Sequence, residues 1–357
     1  MPKLLEFIVQ KSSVSPRVKW IVSSRNDTNI ERRLRLVDSG ARLSLELKEN
    51  AEQVSRAVDT YIDYYIQELT EIQYDKRLLD SVREKMRRKA NGTFLWVSLV
   101  INELKDVMSW EVLQVLDEVP LELRDVYHRM IQQIKQLQRQ KPELCRQVLS
   151  IVIAAYRPLH LQELYVLSGL PTQVPDINQS TAAIVKMCGS FLTIRDDTVY
   201  IIHQSAKDFL CQEASPEIFP CGVEDVHYSI FLRSLETMTI SKTLRRDIYS
   251  LRALGYPIEQ VKQPDPDPLA AIRYSCIYWV DHLYAWNSNS CVNYKVDLQD
   301  KGIVDMFIKT KYLHWLEALS LCRSMSKGVL SMAKLEAVIQ VILGPVFYLR
   351  IVHVDIT

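Results

Sequence analysis

The chain has 357 residues, a formal net charge of +1, 48% hydrophobic and 24% charged residues, and seven cysteines with no CxxC pair. That length calls for more than one compact core, and the composition is that of an ordinary folded chain. The near-neutral balance gives no electrostatic ground for nucleic-acid or membrane-surface binding, and the dispersed thiols argue for a reducing, intracellular compartment rather than a disulfide framework.

The first residues, "MPKLLEFIVQKSS", do not read as a signal peptide, because the apolar stretch is short and carries Glu6. Residues 4–10 read as the end of a helix. "RVKWIVSSR" (17–25) reads as a buried strand and "RLSLEL" (42–47) as a second. Two strands make no stable sheet alone, so residues 1–49 read as part of something larger.

From residue 50 the period becomes helical. "AEQVSRAVDTYIDYYIQEL" sets Val54, Val58, Ile62, Tyr65 and Ile66 on one face. "DKRLLDSVREKMRRKA" is a second helix, with Asn91 and Gly92 as its C-terminal cap. Its basic run reads first as a solvated face. "TFLWVSLVINELKDV" reads as a buried helix. "VLQVLDE" (112–118) imitates a Walker B strand, but helical text precedes it and Pro120 ends it, so it reads as core helix.

"ELRDVYHRMIQQIKQL" resumes a helix. "ELCRQVLSIVIAAY", "RPLHLQELYVLSGL" and "QSTAAIVKMCG" then read as three helices, and "FLTIRDDTVYIIH" as a hairpin about Asp196 and Asp197. Three helices and a hairpin make a winged helix. Its third helix offers one lysine and no arginine, which suits a protein-facing role better than groove reading. His203 ends the hairpin, and Ser205 with Asp208 resembles a capping box for the next helix.

Beyond residue 216 the chain is helical again. "QPDPDPL" (263–269) is a stiff non-helical joint. "LAAIRYSCIYWVDHLYAW" and "YLHWLEALSLCRSMSKG" read as aromatic-rich helices. Cys276 and His282 lack the further ligands a metal needs, and like His314 and Trp315 they read as packing. "AVIQVILGPVFYLRIVHV" is interrupted by Gln340, Pro345, Arg350 and His353, so it does not read as a membrane span.

The nine glycines never lie closer than 16 residues to one another, so neither GxGxxG nor GxxxxGK[ST] occurs in these residues. A phosphate cradle of that kind needs glycine for close backbone approach.

Several segments taken together nevertheless resemble the NACHT class of STAND P-loop ATPases (NLR-like proteins) in its filamentous-fungal branch. "SPRVKWIVSSRND" resembles the sensor-1 strand and "ANGTFLWVSLVINEL" the helical lid. "LRDVYHRMIQQI", "RPLHLQELYVLSGL", "VYIIHQSAKDFL", "YSCIYWVDHL" and "YLHWLEALSLCRSMSKGV" follow in the family's order. The resemblance implies a mainly α fold with small β content. Its parts are a remnant of the P-loop α/β core (1–49), a helical lid (50–119), a winged helix (120–215), a second helical domain (216–345) and a tail (346–357).

It also implies site residues. Arg25 takes the sensor-1 place, where a guanidinium meets the γ-phosphate; from the residues alone it equally reads as a solvated strand end. His203 takes the place of the winged-helix histidine that reaches the β-phosphate of ADP; alone it reads as a structural histidine. Asn91, Gly92 and Phe94 take the lid positions near adenine, or else are a helix cap and a core aromatic.

The expectation is a regulatory and interaction fragment of a cytoplasmic signal-transducing ATPase. It would hold the ADP/ATP switch elements without Walker A or Walker B, and so without enzymatic activity. No cofactor is expected for this chain, whereas the full-length family uses ADP or ATP with magnesium. Partners would be proteins or domains of the same assembly, with no membrane. The alternatives are a winged-helix nucleic-acid-binding protein and an eroded, non-functional paralogue.

Overall fold

The structure is a computed structural model. It describes residues 2–12, 30, 32, 51–170, 176–240, 244–252, 255–286 and 298–343. The strands expected at 17–25 and 42–47, with Arg25, lie outside the described residues, as does the 346–357 tail. The described residues are mainly helical with one small three-stranded sheet. They divide into two compact units, Met1–Ile101 with Val107–Ser109, and Asn102–Asp106 with Trp110–Thr357.

The first unit is helical. Helix α1 (Pro2–Ser12) buries Leu5 and Ile8. Helix α2 (Ala51–Tyr65) buries Val58 and Ile62, and Ile66 extends that face into a 3-10 turn, Ile66–Glu68. The i, i+4 spacing of these residues sets the buried face. Helix α3 (Lys76–Ala90) begins at Asp75, whose carboxylate accepts from the Leu78 amide at 3.0 Å. It ends at Asn91, which has φ 44°. Asparagine tolerates that left-handed conformation better than most residues, and Gly92 (φ 70°) completes the turn. The basic run is an ion-paired face. Arg87 Nη2 sits 2.6 Å from Asp63, and Arg83 Nε lies 3.1 Å from the same carboxylate. Helix α4 (Phe94–Leu104) buries Trp96, Val97 and Val100.

In the second unit "VLQVLDE" is helix α5 (Val112–Glu118), with Val112 and Leu116 buried, so the Walker B likeness is only one of residue types. Helix α6 (Leu123–Lys135) buries Val126, Tyr127, Met130, Ile131 and Ile134. The winged helix follows, with α7 (Lys141–Ala154), α8 (Leu161–Ser168) and α9 (Ile177–Met187), then strands β2 (Leu192–Arg195) and β3 (Thr198–Ile201). The hairpin turns on Asp196 (φ 47°) and Asp197 (φ 55°). Two consecutive positive φ values are what a two-residue type I′ turn requires.

One strand was hidden. The segment read as a helix from Arg157 opens instead with β1 (Leu159–His160), which pairs with β3 as Leu159↔Val199 and His160↔Thr198. The sheet order is β1-β3-β2. A strand this short carries no alternation to read, and only its partner reveals it.

Helix α8 ends at Gly169 (φ 58°), where an added Cβ would lie 1.8 Å from Arg233 Nη1. That guanidinium donates to the Leu167 carbonyl at 3.2 Å and so caps the helix end. Gly169→Ala must displace Arg233 and hold a Cβ at positive φ. It is expected to cost about 1–2 kcal/mol in chemical denaturation. A neutral result would mean that the cap contributes nothing.

The remaining helices are α10 (Gln204–Gln212), α11 (Ser215–Ile218), α12 (Val223–Ile240), α13 (Arg273–Ala285), α14 (Ile303–Leu321) and α15 (Met325–Leu343). The last four share a core containing Phe231, Trp279, Phe307 and Trp315. The single helix expected over 312–328 is two. Arg323 at φ 54° breaks it, and the Ser324 amide turns back to the Leu319 carbonyl at 2.8 Å. No glycine or proline marks that turn, so the continuous apolar spacing concealed it.

Candidate functional site

His203 stands between β3 and α10 with an exposed ring. The capping box expected from Ser205 and Asp208 does not form. His203 is itself the N-cap, and its Nδ1 accepts from the Ser205 amide at 3.1 Å. Ser205 lies inside the helix, and Asp208 accepts from Gln204 Nε2 at 2.9 Å. Imidazole can replace the usual Ser or Asp because an unprotonated ring nitrogen is also an acceptor.

This cap decides the tautomer. A backbone amide can only donate, so Nδ1 is unprotonated and the ring proton sits on Nε2. The Ser205 hydroxyl, 2.7 Å from Nδ1, therefore also donates to it. Tyr127, buried in α6, lies 2.9 Å from that hydroxyl and donates in turn. Burial raises the Tyr127 phenol, against the opposing effect of the Ser205 contact, which keeps it a neutral donor. The chain Tyr127–Ser205–His203 thus leaves Nε2–H as the free donor of an exposed ring at the start of α10. Helix N-termini favour anions, and a fixed N–H beside one adds a directed contact.

Asn91, Gly92 and Phe94 lie in the other unit. Asn91 and Gly92 form the α3 cap described above. The Phe94 ring is 43% exposed, so it is not the buried core aromatic its helix would otherwise supply. It meets Tyr61 edge-on at 5.5 Å, and Tyr61 in turn packs on Tyr65 at 4.3 Å. Rings this close touch each other and enclose no space between them. Arg25, the remaining candidate, lies outside the described residues.

A second polar cluster had no counterpart in the sequence reading. Glu163 is 2% exposed and takes two bonds from Arg157, each 2.7 Å. It also accepts from the His160 amide at 3.0 Å and the Tyr274 amide at 2.9 Å. Burial pulls the Arg157 guanidinium down, but the bonds and charge of Glu163 more than reverse this and raise it. Nearby, Tyr274 Oη lies 2.7 Å from His282 Nε2, and His282 Nδ1 lies 2.8 Å from His227 Nδ1. His160 and Glu163 form a capping box, but with His in place of Ser or Thr the pattern escapes the usual rule.

Among the described residues no group of His, Cys, Asp or Glu is arranged to hold a metal ion. Cys276 and His282 do not share a ligand site. Burial drives the Cys276 thiol well up, and its carbonyl accepts from Trp315 Nε1 at 2.8 Å. In α9 the basic residue is Lys186, while Thr181 and Val185 are buried. Among the described residues no helix is long and apolar enough to cross a membrane.

The fold and these sites define a winged helix set among helical segments. Residues 127–219 match the family described as GPI inositol-deacylase, winged helix domain. The chain is 46% identical over 354 residues to vegetative incompatibility protein HET-E-1 of Podospora anserina. That alignment takes in 95% of this chain and 26% of the relative. The chain therefore spans about a quarter of the length of the curated relative it matches. No solved structure matches. Both findings support the family resemblance read from the sequence.

Proposed function

We propose that these residues are the regulatory and interaction part of a fungal NACHT-type signalling ATPase, and that His203 is its nucleotide-sensing contact. The observation that carries this reading is the fixed Nε2–H of His203 at the start of α10. A donor held ready, rather than a ring free to choose its tautomer, suits contact with a diphosphate. The 46% identity to a vegetative incompatibility protein supports the signalling class.

In this reading ADP holds the lid (50–119) and winged helix (120–215) closed, and exchange for ATP releases them for assembly with protein partners in the cytoplasm. Arg25, Asn91, Gly92 and Phe94 would be the other contacts to nucleotide. The cradle for the phosphates would come from elsewhere in the assembly, since no Walker A pattern occurs in these 357 residues. The chain alone is then not an enzyme. A duplex-reading role draws no support from α9, with its single lysine.

Two measurements test this. The purified chain is expected to show no ATP turnover, and steady turnover abolished by Arg25→Ala would overturn the reading. A chimera carrying this chain in place of the matching segment of the Podospora protein is expected to retain ADP. His203→Ala should weaken that retention about tenfold or more, the loss of one charge-assisted bond. Equal retention by both chimeras removes His203 from the site.

A further inference from the structure

Where the winged helix meets α12 and α13, two histidines form a relay with one satisfied protonation state. The Tyr156 amide donates to Tyr274 Oη at 3.1 Å. Tyr274 is fully buried and, among the described residues, is offered one acceptor for its own proton, His282 Nε2. His282 must then carry its proton on Nδ1 and give it to His227 Nδ1. Reversing the relay would strand the Tyr274 hydroxyl proton in a dry site. Any further proton must land on a nitrogen that is already accepting, and so must break a link.

We infer that this relay is an acid-sensitive fastener: uptake of one proton uncouples His227 from His282 and loosens the joint between the winged helix and helices α12 and α13.

The surrounding charges leave this logic intact. On the winged-helix side are Tyr156 and the Arg157–Glu163 pair. Helix α12 contributes Glu224 and Arg233, and the latter is engaged with the Leu167 carbonyl. Helix α13 adds Tyr278 and Asp281, and α15 brings Lys327 to Tyr278 and Lys334 to Asp281. Burial lowers His227, although Glu224 pulls it the other way. Burial, and then the neighbouring His227, hold His282 down to about 3. The unfolded state therefore takes up protons first. The joint is at full strength above the ordinary histidine range and weakens as pH falls through that range toward about 3.

Hydrogen exchange on the full 357-residue chain tests this. Protection in residues 161–168, 223–240 and 273–285, corrected for intrinsic rates, is expected to fall about tenfold between roughly pH 7.5 and pH 5. His227→Asn keeps an acceptor for His282 and removes one titrating ring, leaving only the buried His282 to respond, so its protection should fall clearly less than that of the wild type. Unchanged protection in the wild type, or an equal loss in the variant, overturns the fastener. Ring ¹⁵N shifts of the wild type decide the matter even if the variant does not fold. Loss of protection without protonation of either ring is the overturning result, and protonation of His227 in step with that loss supports the proposal.

Discussion

Trp315→Ala is expected to lower the stability of the C-terminal helices by about 3–5 kcal/mol, the range for removing a large buried aromatic. The ring is fully buried. It lies edge-on to Trp279 at 6.0 Å and to Phe307 at 6.3 Å. Two helices of the core, α13 and α14, therefore lose packing at once, and neighbours this bulky cannot close the cavity by rotamer changes alone. Its Nε1–H also ties α14 to the Cys276 carbonyl of α13. Trp315→Phe separates the two effects, since it keeps most of the ring contact and deletes the bond. It should cost less than the alanine variant by at least half. Urea denaturation followed by far-ultraviolet circular dichroism measures both. Equal losses for Phe and Ala would mean that the hydrogen bond, rather than the packing, sets the stability there.

Trp315 was legible as core because apolar spacing over "YLHWLEALSL" is strong. The wing was legible for a different reason: Asp196 and Asp197 accept positive φ between two β-branched runs, so local chemistry names the turn. Legibility failed where a role depends on a partner distant in sequence. Strand β1 exists only because β3 lies beside it. The cap of α10 went to His203 rather than Ser205 because the hairpin delivers the ring onto the amide, and capping preferences rank side chains without that geometry. Tyr127 reads as one more apolar residue on α6, and nothing within α6 announces its bond to Ser205, 78 residues away. Family order thus offered candidate residues, and it could not give the arrangement of protons that the structure holds at His203.

Glu163 is the extreme of that failure, and Glu163→Ala is the second large effect expected. One carboxylate serves three masters. Its Oε2 accepts from His160, the N-cap of α8, and its Oε1 accepts from Tyr274 in the first turn of α13. Both are amides that a helix start leaves without an internal partner. Arg157 completes the set with a two-pronged pair. Alanine would orphan two backbone donors together and strip Arg157 of its carboxylate, leaving it the Pro158 carbonyl, at about 3–5 kcal/mol. The cost should be unequal between partners. The Arg157 side chain is 30% exposed, so after the loss of Glu163 it can turn to water, whereas the Tyr274 amide is buried and cannot. Arg157→Met leaves the carboxylate held by both amides and is therefore expected to cost less than Glu163→Ala. Glu163→Gln should fall between them, because it keeps an acceptor for one helix start but turns an amide donor toward Arg157 or toward the other N–H. Denaturation midpoints of the three variants give the order directly. If Arg157→Met proved as damaging as Glu163→Ala, the ion pair would be the fastening element, and the double helix cap would be incidental to how the winged helix is joined to the helices that follow it.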